Sequence, residues 1–130
     1  MKLYHLGLLL LLAPAPAVAE TWRAASGANG ARAYIDVDSI TRDGDRVFFL
    51  REVRWPEPMT LQGGLRIDRI LARYEGDCRA NTLRALSLTA KLGAAVIASN
   101  DKPDEIERAE PGTAGGDDLR SACFNEWPRE

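Results

Sequence analysis

Two glutamates, Glu52 and Glu75, are the residues of this chain whose type and placement come nearest to an active site. They lie in segments that we expect to neighbour each other, and two carboxyl groups about 5–10 Å apart in unequal environments can hydrolyse a glycosidic bond. Several arginines in the same segments favour cross-strand ion pairs for both glutamates instead. We therefore predict no catalytic residue and keep a carboxylate-based hydrolase as the less favoured alternative.

The arginines of these segments form a second candidate site. Guanidinium groups bind carboxylate, sulfate or phosphate through paired hydrogen bonds, so a face that carries several of them suits a protein or an anionic polymer. A solvated sheet face, balanced by Glu52, Asp68 and Glu75, is the alternative interpretation. The possible partner-binding face consists of Arg51, Arg54, Arg69 and Arg73.

Two pairs of aspartates, Asp36 with Asp38 and Asp43 with Asp45, resemble a calcium loop in composition. Their spacing does not match an EF-hand, and Asp43-Gly44 is typical of a tight hairpin turn. We favour a strand-turn-strand hairpin with solvent-facing acids, and we predict no metal site.

Histidine chemistry is excluded from the predicted mature chain. The single histidine, His5, lies in the segment that we predict to be removed. Without it, Ser-His-Asp and Cys-His mechanisms have no base, and zinc, copper or iron sites lose their usual imidazole ligand. We predict that the protein has no cofactor and is not an enzyme.

The first 19 residues predict a secretory signal peptide. Lys2 supplies a positive start, residues 6–13 an apolar run, and residues 17–19 a small-x-small cleavage site after Ala19. The run is shorter than the roughly 20 residues of a membrane span. The cleavage site has no cysteine, so we expect no lipid anchor. We predict one domain, residues 20–130, in the periplasm, at the cell surface or secreted.

Composition is consistent with one globular domain. The 130 residues are 45% hydrophobic and carry 17 Lys+Arg against 19 Asp+Glu, which gives a net charge of −2. Low-complexity disorder would need fewer apolar residues. Binding of nucleic acid by bulk charge would need a strongly basic chain, so we predict no nucleic-acid partner.

The two cysteines, Cys78 and Cys123, are most simply a disulfide in an exported protein. A redox-active pair is the alternative, but the C-x-x-C spacing typical of that chemistry is missing.

Alternating apolar and polar residues predict an antiparallel β-domain. Pro56 and Pro58 should end the third strand, because proline cannot donate a hydrogen bond to a sheet. Residues 100–116 are predicted to be a long loop and residues 117–124 a short helix. The predicted strands are residues 22–25, 33–37, 46–55, 66–77, 83–90 and 94–99.

The alternation also predicts which face the helix covers. Val47, Phe49, Val53 and Trp55 share one face, interrupted by Arg51. In the fourth strand, Cys78 falls on the face of Ile70, Ala72 and Tyr74. A disulfide from Cys78 to Cys123 would therefore attach the terminal helix to that face of the sheet.

The chain resembles the surface-adhesin protein E-like domains of Gram-negative bacteria over nearly all of its predicted mature length. The resemblance rests on Trp22, on segments 34–40, 42–44, 46–47, 74–78, 84–88, 96–99 and 111–113, and on Cys123. It implies a six-stranded antiparallel sheet with a C-terminal helix tied to one face by a disulfide, here Cys78 to Cys123. Adhesin members of the family bind host matrix and plasma proteins.

From these observations we predict an exported, non-enzymatic binding module of the cell envelope. Its ligand would be a protein, such as a host matrix or plasma protein, or a polyanion that meets the sheet or its loops. A periplasmic structural or inhibitory partner of another envelope protein is the main alternative.

Overall fold

The computed structural model describes residues 20–28 and 30–129, so the predicted signal peptide lies outside the described residues. A single turn of 3₁₀-helix at Val37–Ser39 separates the second and third strands. The elements are β1 (Trp22–Ala28), β2 (Ala31–Asp36), β3 (Thr41–Asp43), β4 (Arg46–Thr60), β5 (Arg66–Asp77), β6 (Thr82–Leu92), β7 (Ala95–Asn100), β8 (Glu107–Arg108) and α1 (Ala114–Phe124).

The strands form one antiparallel sheet in the order β1-β2-β4-β5-β6-β7. The short strands β3 and β8 pair with β4 and β6 beside this main path. The predicted six-stranded sheet with a C-terminal helix is thus confirmed, and β5 has the predicted bounds. The described part of the chain contains no helix long and apolar enough to cross a membrane.

The prediction that the prolines end the third strand is wrong. Strand β4 continues through Pro56 and Pro58 to Thr60. Its pairing with β5 steps from Arg54 opposite Arg69 to Met59 opposite Ile67, so the proline segment bulges out of the ladder. A bulge leaves residues unpaired and can therefore hold prolines that have no N–H to donate.

The predicted loop and the predicted helix start are also corrected. The loop 100–116 contains β8, and α1 begins at Ala114, three residues before the predicted start. Thr113 caps the helix by accepting a hydrogen bond from the amide of Gly116 at 3.1 Å. The first turn contains Gly115 and Gly116, whose low helix propensity hid it. A Cβ on Gly116 would come 2.0 Å from the Glu110 carbonyl oxygen, so this position requires glycine.

The core lies between the sheet and α1. Leu119 and Ala122 of the helix pack with Ile35, Val47 and Phe49 of the sheet. The disulfide joins Cys78, at the end of β5, to Cys123 of α1, with the two Cα atoms 5.7 Å apart. The predicted disulfide and the predicted face for the helix are both confirmed.

Candidate functional site

The face of the sheet opposite α1 carries most of the predicted site. Side chains alternate along β4, so the odd-numbered Val47 and Phe49 join the core, while the even-numbered residues Leu50, Glu52 and Arg54 point to the other side. We call this second side the open face. The side of the sheet under α1 is called the covered face.

Four cations stand side by side across four neighbouring strands of the open face. Arg32 of β2 is directly opposite Arg54 of β4, Arg54 is opposite Arg69 of β5, and Arg69 is opposite Lys91 of β6. Neighbouring strands lie about 4.8 Å apart, so this line of cations, here called the cation row, spans about 14 Å.

One carboxylate lies beneath the cation row. Glu52 is 4% exposed. Its Oε1 atom is 2.7 Å from Nε of Arg54 and 3.6 Å from Nη1 of Arg69, and its Oε2 atom is 4.0 Å from Nζ of Lys91. Buried carboxylates need such partners, because an unpaired charge away from water is costly. Glu52 therefore fixes the positions of three cations while it neutralises only one charge.

Two aromatic rings hold the guanidinium of Arg54. Its Cζ atom is 4.2 Å from the ring centroid of Tyr34 and 5.4 Å from that of Trp22. Cations are attracted to the faces of such rings. The indole N–H of Trp22 in turn donates to Glu20 at 3.0 Å, which orients that ring. Glu52 below and the two rings beside it therefore fix the position of Arg54 at the centre of the cation row.

Only part of the predicted arginine face exists as one surface. Arg54 and Arg69 lie in the cation row, and Arg73 lies on the open face opposite Leu50. Arg51 does not belong to it, because its odd position in β4 turns it to the covered face. There its Nε atom lies 2.5 Å from Oδ2 of Asp118 in α1. The prediction that groups Arg51 with the other three arginines is therefore corrected.

Sequence reasoning missed Arg32 and Lys91, the two ends of the cation row. Each lies in an observed strand, β2 or β6, but one residue outside the predicted bounds of 33–37 and 83–90. Only the pairing register brings it beside the arginines. Their signal in the sequence is a basic residue on the polar side of each alternating strand.

The two glutamates do not form a catalytic pair. Glu75 is paired with Arg46 at 3.1 Å and with Arg84 at 2.8 Å. It lies opposite Phe48, four residues along β4 from Glu52. At about 3.3 Å per residue, this places the two positions about 13 Å apart along the strand, farther than glycoside hydrolysis uses. Both carboxylates form the ion pairs that the neighbouring arginines favour.

Asp36 is buried and binds the backbone around it, so the expectation that all four aspartates face solvent is wrong for this residue. Oδ1 of Asp36 accepts hydrogen bonds from the amides of Thr21 and Asp38, both at 3.1 Å. Asp43 and Asp45 flank Gly44, whose φ of 63° forms the turn between β3 and β4. Within residues 20–28 and 30–129, no group of three or more His, Cys, Asp or Glu residues is placed to hold a metal ion.

The covered face has a cavity of about 550 Å³ beside the Arg51–Asp118 pair. Acidic side chains of the segment before α1, among them Asp104 and Glu107, line its other side. Asp118 is 1% exposed. Burial raises the pKa of its carboxyl group above the ordinary value, while Arg51 beside it acts in the opposite direction.

Comparison with known families gives one match. The model of the surface-adhesin protein E family matches residues 22–124. The matched range runs from the first residue of β1 to the last of α1, so it includes the cation row and both cysteines. A search of curated proteins finds no match.

Proposed function

The chain belongs to the surface-adhesin protein E family, and we propose that it is an exported, non-enzymatic binding module of the cell envelope whose open face contacts the ligand. The family match supports an adhesin-like role in general. Export depends on the predicted signal peptide at residues 1–19, and the domain that remains is residues 20–130. The ligand is a protein or a polyanion.

The observation that carries this proposal is the charge of the open face. Three cations of the row, Arg54, Arg69 and Lys91, share the carboxylate of Glu52. Arg32 continues the row, and Arg73 lies farther along the same face. Arginine makes planar, paired contacts to anionic groups and is less strongly hydrated than lysine. A fixed array of such groups on an uncovered sheet face favours the binding of an anionic surface.

The ion pairs that the carboxylates of both glutamates form support a non-enzymatic role. Glu52 and Glu75 each contact two or more cations, and their positions are about 13 Å apart along the strand. Neither is then a proton donor beside a second, reactive carboxylate.

The binding experiment compares two triple variants of the exported protein. Arg54→Ser/Arg69→Ser/Arg73→Ser removes charge from the open face, while Arg79→Ser/Arg108→Ser/Arg129→Ser removes the same charge from exposed positions elsewhere. We expect only the first variant to lose binding to immobilised extracellular matrix and plasma proteins and to acidic polysaccharides. Equal binding by both variants and the wild type would contradict the proposal.

Because Arg54 contacts the buried Glu52, the first variant needs a folding control. Circular dichroism and urea unfolding identify a misfolded protein. The single variant Arg73→Ser, which changes an exposed side chain outside the core, then tests the face by itself. Its binding should fall less than that of the triple variant, and its stability should not change.

Location is tested by protease accessibility. Cleavage of the native protein on intact cells would place the domain at the surface, where host proteins are the ligands to screen. Protection until the outer membrane is permeabilised would favour the alternative, a periplasmic structural or inhibitory partner of another envelope protein.

A further inference from the structure

We propose that the cation row is a binding site for a linear sulfated polysaccharide that lies across the strands, from Arg32 over Arg54 and Arg69 to Lys91. This inference rests on the proposed function and specifies its ligand class and its direction on the sheet. The argument depends on the register of four strands, on Glu52 and on the aromatic rings at Arg54.

The register places like charges at directly opposed positions, which is unfavourable in a sheet. Three successive cross-strand pairs, Arg32 with Arg54, Arg54 with Arg69 and Arg69 with Lys91, all join cations. Glu52 lies beneath Arg54, Arg69 and Lys91 and offsets part of this repulsion. The remaining positive charge is the complement of an anionic chain.

The cation row remains accessible although it is ordered. The side chains of Arg54, Arg69 and Lys91 are 31%, 44% and 26% exposed, while that of Glu52 is 6% exposed. Arg32 is exposed as well. Since the carboxylate is below and the cations are above it, a ligand meets the cations first. Prior ordering also lowers the entropy that binding would otherwise cost.

The shape of the site favours a polysaccharide over a protein. The cations lie in a line about 14 Å long and one residue wide, at a spacing of about 4.8 Å. Protein interfaces have an apolar core inside a polar rim, whereas this line consists of three arginines and a lysine beside a carboxylate. A chain with closely spaced sulfates can follow such a line, because each sulfate accepts hydrogen bonds from a guanidinium or ammonium group.

The test uses heparin as the probe and two double variants of equal charge. Arg32→Ser/Lys91→Ser shortens the row at both ends and leaves Arg54 and Arg69 on Glu52. Arg79→Ser/Arg108→Ser removes two exposed arginines that lie outside the open face. By calorimetry we expect about tenfold weaker heparin binding for the first variant, if each exposed ionic contact contributes a typical amount. The second should stay within about twofold of the wild type.

Several outcomes would overturn the inference. Equal losses in both variants would mean that heparin binding depends only on the net charge of the protein. Full binding of chemically desulfated heparin would exclude sulfate as the recognised group. A failure of wild-type heparin binding, with matrix-protein binding still lost in the open-face triple variant, would refute this inference and leave the proposed function intact. No open-face-dependent binding of any ligand would refute both.

Salt dependence gives an independent measurement. Binding of a polyanion releases condensed counterions, so the logarithm of the affinity falls with the logarithm of the salt concentration. Removing two contacts should make this slope shallower for Arg32→Ser/Lys91→Ser and leave it unchanged for Arg79→Ser/Arg108→Ser. Unchanged slopes in both variants would show that the ends of the row make no contact with heparin.

Discussion

The two faces of the sheet each bury a carboxylate next to an arginine of β4, but they differ in how exposed the neighbouring cations are. On the covered face, Asp118 is 1% exposed and forms an ion pair with Arg51, whose side chain is 16% exposed. On the open face, Glu52 is similarly buried, but three cations surround it and each is at least 26% exposed.

This difference separates a structural ion pair from one that can take part in binding. A charge pair between a sheet and a helix must neutralise itself largely within the protein, because the carboxylate is shielded from water. Cations that remain partly hydrated keep donors free to meet a ligand. Burial of the carboxylate is common to both sites, so the exposure of the cations is what distinguishes them.

Removing the disulfide should have the largest effect on stability, and it should act on the covered face alone. Cys78→Ala/Cys123→Ala opens a link between residues 45 positions apart. Loop entropy then lowers the free energy of unfolding by about 4 kcal/mol, measured by urea titration. Heparin binding by the folded variant should stay within about twofold of the wild type. A parallel loss of affinity in protein that remains folded would show that the faces are coupled.

Breaking the covered ion pair should have the next largest effect. Arg51→Met leaves Asp118 buried without its cation and should cost about 3 kcal/mol in urea unfolding. The double variant Arg51→Met/Asp118→Leu should recover most of this loss, because it removes both charges. If the double variant is no more stable than the single one, the cost does not come from an unpaired carboxylate.

Removing the buried carboxylate of the open face should lower the free energy of unfolding by a smaller amount. Glu52→Gln leaves the cations without their shared carboxylate, but they can hydrate, so we expect a loss of about 1 kcal/mol. Added salt should restore part of it by screening the repulsion within the cation row. Arg51→Met should show no comparable salt rescue. Equal losses for the two variants would remove the distinction between the faces.

The smallest effect concerns pH. Burial raises the pKa of Asp118 above its ordinary 3.8, so the folded protein binds more protons than the unfolded one between pH 3.8 and that raised pKa. This contribution to the free energy of unfolding falls as pH rises through that window. Asp118→Asn should remove the decline, as measured by urea unfolding at a series of pH values.

Asp77 provides the control with the opposite sign. The amide of Ala80 donates to its carboxylate at 2.8 Å and, with that of Arg79 at 2.9 Å, lowers its pKa below 3.8. The stability that Asp77 contributes is present above pH 3.8 and is lost as pH falls through its folded pKa. Asp77→Asn should therefore flatten the acid side of the profile. The same sign of change in both variants would contradict the assignments.

Much of the fold could be predicted from the sequence, because alternation along a strand assigns each side chain to a face. This is why β5, the disulfide and the face under α1 were predicted correctly. The continuation of β4 past its prolines could not be predicted, since it depends on a bulge opposite β5. The start of α1 was missed because the close approach of Gly116 to Glu110 is a tertiary contact.

The candidate site could be predicted less completely. Alternation places Arg51 and Arg54 on opposite faces, but it does not reveal that Asp118 of α1 lies beside Arg51. The cation row depends on the pairing register of four strands. Register shifts, such as the one between Ala90 and Lys91 in the β6–β7 pair, are set by packing and leave no clear mark on the sequence.

The contact between Arg23 and Trp127 bears on where the domain can be attached to a solid support. Arg23 lies in the first strand and Trp127 follows the helix, and the guanidinium is 4.5 Å from the indole centroid. Trp127 also packs against the core under α1. Trp127 therefore lies on the covered side, whereas Trp22, at the start of the first strand, lies against Arg54 of the open face. A tag or solid support joined after Trp127 would leave the open face pointing away from it, free to meet a soluble ligand, and one joined before Trp22 would lie beside the cation row.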